Sequence, residues 1–379
     1  MPPLEAWQKV LVDATKYVES DPHAKVANCI QCHGGQGDTE DMAEAHDGVI
    51  TDPTSTQEQV EKICGTCHAE VVKAQLTSLH FDSHGYETII GARLGDSPES
   101  HAAWEEARVN HCSSCHTTCG QCHVSQPTSV GGGLISGHQF KSVQAFTRTC
   151  TGCHGSRINA EYTGQNEGFP ADVHWTKAGM ACFKCHTGDA LHGMTGEDGA
   201  ASEKTERYDG APMPACLDCH PDSAAGKGEI AQHNVHGEKL ACQVCHSVDN
   251  KNCYSCHVQK NDEGEAFYKI EPSVMDFKIG LNPKKSDERP WNYVVLRHAP
   301  IDPENFAFYG EDILTNFDAL PTWKYATPHN IQRVTPQNET CDSCHGNADI
   351  FLSEADLRPY EVEANKDVIP AQLPPKMGQ

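Results

Sequence analysis

All cysteines of the chain belong to one repeated five-residue pattern, C-x-x-C-H. The chain has 379 residues and 20 cysteines, and ten copies of the pattern use every cysteine. Two thiols at this spacing can form thioethers with the two vinyl groups on one edge of a porphyrin, and the next residue then offers an imidazole nitrogen to the iron. We therefore predict ten covalently attached haem c groups, with the motif histidines as proximal ligands. The copies are Cys29/Cys32/His33, Cys64/Cys67/His68, Cys112/Cys115/His116, Cys119/Cys122/His123, Cys150/Cys153/His154, Cys182/Cys185/His186, Cys216/Cys219/His220, Cys242/Cys245/His246, Cys253/Cys256/His257 and Cys341/Cys344/His345.

Other chemistries also use cysteine pairs at this spacing. A C-x-x-C pair can be half of a zinc site, a redox dithiol or part of a disulfide framework. None of these requires a histidine directly after the second cysteine in every copy. Haem attachment is therefore the favoured interpretation, with a zinc site and a disulfide framework as the alternatives.

Thirteen further histidines lie outside the motifs and can supply the second axial ligand of each iron. They exceed the ten predicted irons by three, so ligation by two histidines throughout requires no methionine. We expect His84 and His101 to be bystanders, with His111 or His233 as the third. The candidate distal ligands are His23, His46, His80, His111, His138, His174, His192, His233, His236, His298 and His329.

The composition indicates how the interior is filled and which partners are excluded. With 29 basic and 53 acidic residues the net charge is −24, which argues against nucleic acid as a partner. Only 37% of the residues are hydrophobic, so the porphyrins are expected to supply much of the core. The longest apolar runs, such as Tyr293–Leu296, are too short to cross a bilayer. No signal peptide opens the chain, so we expect that one has been removed or that export is arranged differently.

The elements that must position these motifs are predicted to be short. We expect little regular secondary structure, with short helices and loops wrapped around a stacked haem chain. The apolar spacing from Leu4 to Val18 predicts one amphipathic helix that ends near Asp21, and Gln57 to Ala74 can form another around the second motif. Trp291 to His298 is typical of a short strand.

The motif spacing predicts three regions. Residues 1–257 form a haem-rich region with nine motifs, and residues 341–379 hold the last motif and a C-terminal tail. Residues 258–340 carry no motif and are rich in proline and aromatic side chains. We interpret this segment as a wrap over the haems that supplies His298 and His329 as distal ligands, with a small separate β or binding domain as the alternative.

The chain resembles the multihaem c-type cytochromes of dissimilatory and extracellular electron transfer. The resemblance rests on the ten motifs and on the local sequences Cys119–Ser125, Leu240–His246 and Thr327–Arg333. That group includes periplasmic decahaem conduits, outer-surface cytochromes and polymeric cytochrome nanowires. It implies a multihaem cytochrome c fold, export from the cytoplasm, and partners such as redox proteins, metal oxides, electrodes or other cells.

The number of available histidine ligands and the resemblance leave two classes of function. Six-coordinate low-spin irons suit an electron carrier, and the supply of histidines is large enough to close every iron. Such a protein would work at the cell surface or outside it, with a homopolymer and a monomeric periplasmic shuttle as rival arrangements. A multihaem reductase of nitrite, hydroxylamine or tetrathionate needs one open iron. No C-x-x-C-K motif is present, and enough histidines exist to close every site, so we favour the non-catalytic carrier over the reductase and over a storage module.

Overall fold

A computed structural model describes most of the chain and divides it into two compact units. The described residues are 4–81, 84–113, 117–135, 137–142, 149–195, 200–201, 213–249, 255–271 and 276–377. The first unit contains Met1–Thr88, Cys112–Cys153 and Cys182–Met213, and the second contains Ile89–His111, His154–Ala181 and Pro214–Gln379. Three motif residues, Cys115, His116 and Cys253, lie outside the described residues.

The helices are short, which confirms the predicted fold class of brief helices joined by loops. The longest α-helix in the described part, Pro98–His111, has 14 residues. The other α-helices are Ala6–Lys9, Ala14–Ser20, Cys29–His33, Met42–Ala45, Gln57–Ile63, Ala69–Leu76, His84–Ile89, Cys119–His123, Cys150–His154, Ala160–Thr163, Val173–Ala178, Gly188–His192, Cys216–Cys219, Ala231–His236, Cys242–His246 and Val362–Asn365. None of the described helices is long and apolar enough to span a bilayer.

Several motifs fold into a single helical turn, and the spacing of their residues explains why this suits haem attachment. Positions i, i+3 and i+4 of a helix share one face, so both cysteines and the histidine of a motif point the same way. The turn Cys29–His33 begins after Asn28, whose side-chain oxygen accepts a hydrogen from Gln31 N at 3.1 Å. Thr118 caps the turn Cys119–His123 in the same manner.

Two predicted helices are broken by local features of the sequence. The single helix expected from Leu4 to Val18 is wrong, because Asp13 accepts a hydrogen from Lys16 N at 3.0 Å and starts a new helix at Ala14. The helix expected from Gln57 to Ala74 is interrupted by the second motif, so that Gln57–Ile63 and Ala69–Leu76 are separate.

Strands are concentrated in the second unit. An antiparallel sheet has the strand order Lys278–Leu281, Tyr293–His298, Trp323–Tyr325, and its middle strand confirms the one predicted between Trp291 and His298. A hairpin pairs Ser255–Lys260 with Ala266–Glu271. In the first unit Met194–Thr195 pairs with Ala200–Ala201.

The two units differ in how much conventional core they contain. In the second unit the sheet contributes the buried side chains of Ile279, Val295, Leu296 and Trp323, and Leu352 is buried as well. Among the described residues of the first unit, the buried apolar side chains are those of Val60, Val72 and Ala74. Side chains alone therefore do not give the first unit an interior of ordinary size.

Candidate haem-binding sites

Six motif histidines face a second histidine from elsewhere in the chain. The structure brings together residues that are far apart in sequence, and each pair joins one motif histidine with one predicted distal ligand. The pairs and the distances between their ring centroids are His33 with His138 (5.7 Å), His68 with His23 (6.1 Å), His123 with His192 (6.0 Å), His220 with His174 (6.1 Å), His246 with His233 (6.0 Å) and His345 with His236 (6.2 Å).

These separations fit one metal ion between two imidazoles. A histidine nitrogen lies about 2 Å from a bound metal, and the ring centroid lies about 1 Å further away, so two rings on opposite sides of one ion have centroids about 6 Å apart. Both cysteines of each of these six motifs are free thiols, as thioether formation requires. The donor set at each of the six sites therefore fits a covalently held haem with two axial histidines.

Hydrogen bonds fix which ring nitrogen faces the gap. Nδ1 of His33 lies 2.7 Å from the carbonyl oxygen of Ile50, and Nδ1 of His123 lies 2.7 Å from that of Lys141. His345 makes the same contact with the carbonyl oxygen of Pro375 at 3.0 Å. Because a carbonyl only accepts, Nδ1 carries the hydrogen and Nε2 keeps its lone pair for a metal.

Two distal histidines are held by carboxylates instead. His23 Nδ1 lies 3.1 Å from Asp21 Oδ1, and His174 Nδ1 lies 2.8 Å from Asp172 Oδ1. Each aspartate also caps the helix that carries its histidine, because Oδ1 accepts the histidine's own backbone N–H. Reasoning from the sequence missed these two aspartates as part of the candidate sites.

Two other predicted distal ligands direct Nε2 at protein groups. His111 Nε2 lies 2.8 Å from the Tyr309 hydroxyl, and burial lowers the pKa of His111. His298 Nε2 contacts Glu361, and both side chains are almost fully buried. In this arrangement neither histidine presents Nε2 to a metal, so two-histidine ligation of all ten irons requires His84 or His101, which we expected to be bystanders, as a ligand.

The remaining predicted ligands are placed as follows. His46 is exposed at the end of Met42–Ala45, with Nδ1 2.6 Å from the carbonyl oxygen of Met42. His80 lies half-buried in a turn, and the backbone N–H of His329 donates to Glu161 at 3.0 Å. Proximal His257 has Nδ1 3.2 Å from the carbonyl oxygen of Glu304. The fifth and sixth motif histidines, His154 and His186, are exposed and half-buried respectively.

The second cysteines of the second and sixth motifs lie in similar turns. Cys67 and Cys185 are exposed thiols, and the backbone N–H of each donates to the carbonyl oxygen of the first cysteine of its motif at 3.2 Å. This bond spans three residues and gives both motifs a tight turn.

The ninth motif departs from the helical turn that we expected around the motifs. Cys256 lies in the strand Ser255–Lys260, where it pairs with Ile270. The backbone is therefore extended over Cys256 and His257, because this stretch forms a hairpin with Ala266–Glu271. Haem attachment at Cys67, Cys185 and Cys256, as at the cysteines of the other motifs, stays a prediction from the sequence.

Cysteines of different motifs approach each other within the first unit. Burial raises the pKa of Cys64 to about 11, and the nearby Cys119 and Cys32 add to the rise. Burial raises the pKa of Cys122 to about 12, with a contribution from Cys150. Cys150 in turn shares a side-chain hydrogen bond with Cys182. Neighbouring cysteines therefore link five motifs in one order: first, second, fourth, fifth and sixth.

The second unit repeats part of this order. Cys216 of the seventh motif shares a hydrogen bond with Cys242 of the eighth. Burial raises the pKa of Cys245 to about 11, with a contribution from Cys344 of the tenth motif. The seventh, eighth and tenth motifs therefore correspond to the second, fourth and fifth motifs of the first unit.

Backbone contacts extend this correspondence between the units. In the first unit, Lys141 N donates to the carbonyl oxygen of His123 at 2.9 Å while Lys141 O accepts from His123 Nδ1. In the second unit, Gln332 makes the same two contacts with His246, at 2.7 Å and 3.1 Å. Lys141 follows His138 by three residues, and Gln332 follows His329 by three.

One comparison with known proteins found a similar protein. Over 163 residues the chain is 25% identical to a protein described as "Multiheme cytochrome MtrA" from Shewanella baltica (strain OS185). The similarity supports a multihaem cytochrome. It also indicates c-type haem and a role in electron transfer. The matched stretch spans 39% of this chain and 42% of that relative. No family model matches the chain, and no solved structure is significantly similar to it.

Proposed function

We propose that the protein transfers electrons along ten closely packed c-type haems, each held between two histidines. The six facing histidine pairs are the observation that carries this proposal. Haem supplies a reversible one-electron iron couple when it is bound. The chain supplies the thioether positions, the axial nitrogens and the hydrogen bonds that orient them.

The closed axial positions favour a carrier over an oxyanion reductase. A reductase needs an iron with one side open to its substrate. At the six described pairs, the second histidine fills that side. The hydrogen bonds on Nδ1 hold the rings in place, which favours low-spin iron in both oxidation states.

The order of the attachment sites supports a path along the chain. Cysteines of neighbouring motifs adjoin in the order first, second, fourth, fifth and sixth within the first unit. In the second unit, cysteines of the seventh, eighth and tenth motifs interact in the same way. A protein that only stored haem would have no need for such a series.

We further propose that the protein works at the cell surface or outside the cell, with the periplasm as the alternative. Haem attachment through C-x-x-C-H motifs is carried out on exported chains in the family that this sequence resembles. The net charge of −24 favours positively charged partners or mineral surfaces. The candidate acceptors are redox proteins, metal oxides, electrodes and other copies of the chain in a filament.

Two measurements on the purified holoprotein test this function. Intact mass and haem quantitation should give ten covalent haems per chain. Carbon monoxide added to the reduced protein should leave the spectrum unchanged if two histidines close every iron, as we propose. Eight or fewer haems would contradict the site assignment, and stoichiometric carbon monoxide binding with turnover of nitrite or hydroxylamine would favour the reductase.

A further inference from the structure

Two ligand histidines differ from the others in what holds Nδ1. His23 and His174 donate to the carboxylates of Asp21 and Asp172. Five other ligand histidines direct Nδ1 at backbone carbonyl oxygens. These five are His33, His123, His236, His246 and His345.

Both carboxylates are buried and held at both oxygens. The side chain of Asp21 is 0% exposed and that of Asp172 is 3% exposed. Asp21 Oδ2 accepts the backbone N–H of Phe140 at 2.6 Å, and Asp172 Oδ2 accepts that of Ile331 at 2.8 Å. With Oδ1 on the histidine and Oδ2 on the backbone, neither carboxylate can turn away from its imidazole.

The arrangement occurs once in each unit at corresponding positions. Asp21 and Asp172 each precede their histidine by two residues. The histidines then face the proximal ligands His68 and His220, both at 6.1 Å. Such a repeat of an aspartate, a distal histidine and a proximal histidine marks these as one kind of site.

A carboxylate changes the properties of the ligand that it holds. It is a stronger acceptor than a carbonyl, so it draws the Nδ1 hydrogen away and makes Nε2 a stronger donor to the metal. A buried negative charge near the ligand also favours the more positive ferric iron over the ferrous iron. Both effects oppose reduction.

We propose that Asp21 and Asp172 are positioning residues that lower the reduction potentials of the haems at His68 and His220 below those of the other four described pairs. This inference rests on the proposed haem ligation. Each unit would then carry one low-potential site, at the second motif in the first unit and at the seventh motif in the second.

The experiment uses the full holoprotein with Asp21→Asn and Asp172→Asn variants. An amide can still accept from Nδ1 but carries no charge. We expect each variant to raise the potential of its own site, at His68 or His220, by at least 59 mV in a spectroelectrochemical titration, and by more than it raises the potential of any other site. This shift corresponds to a tenfold change in the one-electron reduction equilibrium. The matched control is Asp13→Asn, because Asp13 also caps a helix, through Lys16 N at 3.0 Å, but belongs to no described histidine pair.

The results separate three explanations. Unchanged potentials with ten low-spin haems retained would overturn the inference and leave the proposed function intact. A lower melting temperature without a change in potential would show that the carboxylates act only as helix caps, which also overturns it. Eight or fewer haems in the unmodified protein would instead contradict the proposed function.

The inference stays testable if a variant does not fold. In Asp21→Asn the new amide group can face the Phe140 N–H, a contact between two donors. Site-resolved NMR or EPR titration of the unmodified protein then decides the question. The sites at His68 and His220 should be the two lowest in potential among the six described pairs, and any other ranking would refute the inference.

Discussion

His138 faces His33 with its ring centroid 5.7 Å away, and it does so from a strained backbone. Its φ is +68°, a value that few non-glycine residues adopt. Such strain costs on the order of 1–3 kcal/mol and persists where the surroundings demand it. The position of the imidazole opposite His33 therefore supplies a reason for the strain, and it links the backbone directly to the predicted iron site.

We expect His138→Gly to open one iron without disturbing the fold. Glycine adopts a positive φ without cost, so the change removes the ligand and relieves the strain together. The variant should keep ten covalent haems, and one of them should become high-spin and bind one equivalent of carbon monoxide when reduced. His101→Ala, at an exposed position on Pro98–His111, is the control and should bind none.

The haem spectrum should not respond to the loss of His298, although the stability should. His298 and Glu361 are 1% and 0% exposed, and they form a buried contact between an imidazole and a carboxylate. Breaking such a pair leaves a buried charge uncompensated and costs about 3–5 kcal/mol. His298→Phe should therefore unfold at lower denaturant concentration with ten low-spin haems retained. A new high-spin signal would instead support the distal role predicted from the sequence.

The first unit should depend on haem for its folded state more than the second. Its described buried apolar side chains are Val60, Val72 and Ala74, whereas the second unit has a sheet whose buried side chains include Val295, Leu296 and Trp323. Hydrogen exchange on chains produced without haem attachment should show fast exchange over Gln57–Leu76 and protection over Tyr293–His298. Equal protection of the two segments would show that side chains suffice to fold the first unit.

The sequence alone predicts the chemistry of the motifs well because the spacing encodes it. Cys29, Cys32 and His33 share one helical face, and this relation is local. The prediction of short helices is confirmed for the same reason, since glycine, proline and capping residues act over a few positions. The continuous N-terminal helix is wrong because the cap at Asp13 outweighs the apolar spacing. The strand at Cys256 was likewise beyond local reasoning, because it depends on pairing with Ala266–Glu271.

The pairing of histidines could not be predicted, because it depends on contacts between distant parts of the chain. Nothing near His23 indicates that it faces His68 rather than His33. A signal for the repeat was nevertheless present. Cys150 follows His138 by twelve residues and Cys341 follows His329 by twelve. Asp21 and Asp172 each stand two residues before a histidine, so comparing the two halves would have pointed to both aspartates.

Removing the fourth motif should interrupt the series of sites in the first unit. Cys119 lies near Cys64 of the second motif, and Cys122 lies near Cys150 of the fifth, so the fourth attachment site stands between the other two. The double variant Cys119→Ala/Cys122→Ala should lose one haem by intact mass. Electron exchange between the second and fifth sites should slow markedly, because the gap between them is no longer bridged.

The matched control is Cys29→Ala/Cys32→Ala, which also removes one haem, but from the end of this series, and should leave that exchange unchanged. Pulse radiolysis with site-resolved spectra measures both variants, and equal rates in the two would contradict the proposed order of sites.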